Sequence, residues 1–82
     1  MSYQDVLDAI AELARVCDAA GLDYEIKSDG ARLEVEGFGS LFHHHAKGYG
    51  GGGLFLSRAG GRFHDRVHDI NLVAGLLQKA TE

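Results

Sequence analysis

Eighty-two residues, with 45% apolar and 24% charged side chains, describe one globular domain (residues 1–82) and argue against disorder. A single cysteine, Cys17, excludes an intramolecular disulfide and a cysteine-built metal cage, and it suits a reducing cytoplasm. The net charge of −4 is unevenly spread. Residues 1–36 hold nine carboxylates against three bases, while residues 37–68 hold Lys47, Arg58, Arg62, Arg66 and all five histidines against Asp65 alone.

The first element is a helix over about residues 3–20. Val6, Ile10, Leu13, Ala14 and Cys17 recur at helical spacing, and Asp5, Asp8 and Glu12 fall on the opposite face. Ser2 is placed to cap it, with Asp5 in the capping-box position and Gly21 as the left-handed stop. The N-terminus lacks the basic start and apolar run of a secretory leader. No stretch approaches the ~20 apolar residues of a membrane span. A cytoplasmic protein with no membrane attachment is therefore expected.

Tyr24 and Ile26 alternate with Glu25 and Lys27, and Asp29-Gly30 is the strongest two-residue hairpin signal. A type I′ turn there sets Lys27 opposite Arg32, Ile26 opposite Leu33, Glu25 opposite Glu34 and Tyr24 opposite Val35. Gly37-Phe38-Gly39 breaks the pattern. Residues 41–47 then read as a third strand and residues 54–58 as a fourth, with the glycine-rich stretch 48–53 as a loop between them. Two starts fit the last helix, with either Asp65 or Asp69 as N-cap. The expected fold is α+β: a helix, an antiparallel sheet of three to four strands and a C-terminal helix, both helices on one face.

Few residues in this pattern point to chemistry. On a strand, His43 and His45 share one face and His44 takes the other. The first two could supply part of a zinc set with His64 or His68 (four apart if the early helix start holds), but spacing fixes no third or fourth ligand. Neither a metal nor a cofactor is expected. Gly48, Gly50 and Gly53 have the spacing of a dinucleotide fingerprint but lead into a strand instead of a helix. Lys47-Gly48-Tyr49-Gly50 matches only the opening of an RNA-recognition signature, with Gly51 where its second aromatic belongs.

The helix–three strands–helix order resembles the double-stranded RNA-binding fold, in which a basic cluster opening the last helix grips phosphates; residues 62–68 stand in that place here. It is also similar to the small HicA-type toxin ribonucleases, which use a sheet histidine, and Gly39-Ser40 followed by three histidines loosely echoes their pattern. That resemblance implies an RNA-binding or RNA-cleaving protein; separately, two histidines with a lysine or arginine suffice for metal-free RNA cleavage, and His43, His45, Lys47 and Arg58 are the residues that could converge for it.

The leading expectation is different: a small non-enzymatic binding protein that occupies the surface of a larger protein or ribonucleoprotein. Inhibitors of the phage counter-defence (anti-CRISPR) type are one such class. Two surfaces present themselves. One is acidic, from Asp5, Asp8, Glu12, Glu25, Glu34 and Glu36. The other is built from Lys47, Tyr49, Arg58, Arg62, Arg66, His43 and His45, and it would also serve a nucleic acid. Monomer and dimer are both compatible with this reading.

Overall fold

A computed structural model describes residues 2–44 and 53–80. Helix α1 spans Tyr3–Ala20 and closes at both ends as the local signals dictate. The Ser2 hydroxyl accepts from the Asp5 amide, and the Asp5 carboxylate accepts from the Ser2 amide, completing a capping box. Gly21, at φ 73°, supplies the left-handed stop that a side chain would resist.

The chain next forms β1 (Tyr24–Lys27) and β2 (Arg32–Val35) in the register read from the sequence, from Tyr24 opposite Val35 to Lys27 opposite Arg32. Asp29 and Gly30 both take positive φ, and the Ala31 amide donates to the Ser28 carbonyl at 3.0 Å, as a type I′ turn requires. Ser28 also turns left-handed at φ 56°, so the ladder stops at Lys27 and Arg32. At the other end of β1, the Tyr24 hydroxyl donates to Asp18 at 2.8 Å and ties the strand to the end of α1.

Strands β3 (Gly39–His44), β4 (Gly53–Arg58) and β5 (His64–Arg66) complete an antiparallel sheet in the simple order β1-β2-β3-β4-β5. Two expectations change here. The sheet has five strands, where three to four were anticipated and three are needed for the double-stranded RNA-binding order. The early start of the last helix fails, because residues 64–66 pair with β4 and helix α2 spans Ile70–Lys79 with Asp69 as its cap. The Asp69 side chain accepts from the Asn71 amide at 2.9 Å. His64 and His68 therefore do not share a helix turn.

Both helices cover one face of the sheet. Val6, Ile10, Leu13 and Cys17 of α1 meet Leu33, Val35, Leu41, Leu54 and Leu56 of the sheet, and Val73 and Leu77 of α2 close the core. Phe38, in the β2–β3 turn, is buried in the same cluster. Among the described residues, no helix is long and apolar enough to cross a membrane.

Candidate binding surface on the open sheet face

Alternation sends every second strand residue away from the helices. Because the five strands run in sequence order, these outward residues line up in rows across the sheet. One row reads Lys27, Arg32, Phe42, Phe55, Arg66, with one residue from each strand directly opposite the next. The row beside it reads Glu25, Glu34, Ser40, Ser57, His64. His44 lies beyond the first row, opposite Gly53.

From Arg32 to Arg66 the first row is a continuous band of flat groups. The Phe42 and Phe55 rings stack with centroids 6.4 Å apart and planes 24° from parallel. The Arg32 guanidinium carbon sits 5.2 Å from the Phe42 centroid, and that of Arg66 sits 5.1 Å from Phe55. Two imidazoles complete the cluster edge-on: His64 at 5.1 Å from Phe42, and His44 at 5.3 Å from Phe55. Both phenylalanines are only partly covered, and both histidines are exposed.

Charge divides this face. On the β1–β2 side, Lys27 Nζ lies 2.7 Å from Glu34, and the Arg32 Nε–H donates to the same carboxylate at 3.2 Å. The bond from Lys27, with that from Arg32 behind it, holds the Glu34 carboxyl below the usual carboxylate range. The same bond raises the Lys27 ammonium above its ordinary value, with Glu25 adding to the effect. On the β3–β5 side, the outward residues described are serine, phenylalanine, histidine and arginine, with no carboxylate among them. A shallow groove borders the two halves, lined in part by Glu34, Glu36, Ser40, Ser57 and Arg58.

Of the residues singled out from the sequence, Arg66 belongs to this cluster. His43 does not: it points to the helix side, half-buried, with its ring 5.1 Å from that of Tyr3 and nearly perpendicular to it. Arg58 also projects on the other side of β4 from Phe55, over the Phe38 ring at 4.4 Å. Arg62 is exposed in the β4–β5 turn. These three arginines therefore do not form one surface. His45, Lys47 and Tyr49 lie outside the described residues. The proposed acidic surface also divides, since Asp5, Asp8 and Glu12 stand on α1 while Glu25 and Glu34 face outward from the far side of the sheet. Phe42, Phe55, His44 and Arg32 join Arg66 in this cluster without having been singled out from the sequence, and His64 was considered only as a zinc ligand. The signal for them was the alternation in Leu41-Phe42-His43-His44 and Leu54-Phe55-Leu56-Ser57, in which one aromatic of each strand is left out of the core.

Among the described residues, no three His, Cys, Asp or Glu side chains converge as metal ligands. Comparison with protein-family models, curated proteins and solved structures finds no match.

Proposed function

We propose that this domain is a non-enzymatic binding protein that engages a macromolecular partner with its open sheet face. The observation that carries this reading is the five-strand row of two cations, two rings and a further cation. An ordinary solvated sheet face would be polar; here two phenylalanines lie on it among guanidinium and imidazole neighbours. Aromatic and arginine side chains are the usual anchors of binding surfaces, because each gives a large contact area. His44 and His64 pack their rings against phenylalanine, which suits a contact role better than proton transfer. Such a domain acts by occupancy, as inhibitors and adaptors do, in the cytoplasm where Cys17 stays reduced.

The test is capture of partners from a lysate of the source organism, comparing the natural chain with a Phe55→Ala/Arg66→Glu double variant. Loss of the captured species, with the variant still folded by circular dichroism, is the expected result. Undiminished capture would overturn the assignment of this face.

A further inference from the structure

We infer that the occupant of the open sheet face is single-stranded nucleic acid, held by base stacking across β3–β5; this rests on the docking role just proposed for that face. The geometry sets three requirements on a ligand. It must present flat faces, because Phe42, Phe55 and Arg66 offer three planar groups in one row across β3–β5. Those groups are spaced by the strand separation of about 4.8 Å, so the row spans about 10 Å. That length matches two to three stacked bases on an aromatic sheet.

The ligand must also carry negative charge, since Arg66 closes the row on β5 and the β3–β5 half of the face has no carboxylate among its described residues, while Arg32 is already bonded to Glu34. Finally, it must expose its bases. A duplex hides their faces within the helix, and it would bring a second phosphate backbone toward Glu25 and Glu34. A single strand can lie along β3–β5 and avoid that acidic corner. Ser40, Ser57, His44 and His64 flank the rings and supply hydrogen-bonding groups at the height of the base edges.

Both energetic components are modest and separable. Stacking on one aromatic accounts for roughly 5- to 150-fold in affinity per base. Arg66 neutralises at most one phosphate, so the logarithmic salt dependence should have a slope of roughly −0.7, the value per phosphate on a single strand. That is shallow for a nucleic-acid binder and follows from a domain whose net charge is −4.

The experiment is fluorescence anisotropy with labelled eight-nucleotide oligo-uridine and oligo-thymidine at 50 and 200 mM salt, with an eight-base-pair duplex and an oligo-glutamate peptide as competitors. Saturable binding of the single strands, displaced by neither competitor, is expected. Phe42→Leu and Phe55→Leu keep apolar volume but remove the ring, and each should weaken binding roughly 10- to 100-fold. Arg66→Gln should flatten the salt slope by about 0.7. Leu72→Ala, on the exposed side of α2, should change nothing.

Failure of both oligonucleotides to bind at 50 mM salt overturns the inference, as does equal affinity for duplex or affinity indifferent to the leucine substitutions. If oligonucleotides fail while the same substitutions abolish capture from nuclease-treated lysate, the docking face stands and its occupant is a protein. If they alter neither, both readings fall.

Discussion

Two glycines two residues apart offer a sharp check on the sheet that builds the binding face. Gly37 and Gly39 both have positive φ, 78° and 145°, so alanine is strained at either. Their surroundings differ. A Cβ on Gly37 meets nothing within 4 Å, whereas a Cβ on Gly39 would overlap the Ser57 carbonyl oxygen and lie 2.9 Å from the Arg58 Cα. Gly37→Ala should therefore cost only the left-handed penalty, about 1–2 kcal/mol. Gly39→Ala adds a backbone displacement to a comparable strain, for a total of about 2–6 kcal/mol. A chain of this length has roughly 4–12 kcal/mol of stability in all, so the second variant is close to unfolding. Urea melts of the two alanine variants beside the natural chain give the comparison, with equal slopes required for a fair reading. The expected gap is about 2 kcal/mol, or roughly 8–16 °C in Tm. Equal losses would refute the close approach of β3 to the end of β4, and with it the register that pairs Phe42 with Phe55.

Other consequences are open to direct measurement. Leu41→Ala removes a fully buried side chain from the centre of the sheet and should cost about 2–5 kcal/mol in the same melts. Ser2→Ala breaks the capping box and should cost about 1 kcal/mol. Bonds from the Ser2 amide to Asp5, and from Lys27 to Glu34, hold both carboxyls below their unfolded values. Their stabilisation is therefore complete above about pH 4 and lost as pH falls through the folded-state values. Urea midpoints measured from pH 7 to pH 3 should decline, and Glu34→Gln should flatten that decline. Lys27 is raised, so its contribution is full below about pH 10 and lost above its folded value, which melts in alkaline buffer would show. Burial, with Asp18 adding to it, pushes the Cys17 thiol up. Alkylation of the native protein should be slow and accelerate with urea along the unfolding curve; rapid labelling of the native state would contradict its place in the core.

How much of this was legible in the sequence depends on how local each signal is. Helix α1 and the first hairpin were readable because Ser2, Gly21 and Asp29-Gly30 act within a few residues of themselves. Strand β5 was not. His64-Asp65-Arg66 shows no apolar alternation, and its strand character comes from pairing with β4. The early helix start looked reasonable because Val67 continued the spacing of Ile70, Val73 and Leu77. Val67 does reach the same core, but from extended chain whose amide donates to the Leu54 carbonyl at 2.8 Å. Periodicity reported its burial correctly and its backbone wrongly. The candidate face was harder still, because no linear spacing relates Arg32 to Phe42, Phe55 and Arg66.

That dependence on register ties the proposed site to the fold. The charge split along the chain becomes, on the folded domain, a split across one sheet face: paired charges over β1–β2, rings and Arg66 over β3–β5. Side chains alternate with a period of two, so a one-residue slip of β3 against its neighbours would turn Phe42 into the core and Leu41 out of it. What prevents the slip is the core side of the same strands, where Leu33, Leu41, Leu54 and Leu56 are held against α1, together with the turn at Gly37 and Gly39. A substitution in that turn, with no atom near the face, should therefore disturb binding to the extent that it loosens the sheet. Gly37→Ala, which strains the turn without displacing β4, should keep most of the face's affinity; Gly39→Ala, which forces the strands apart, should lose affinity and stability together.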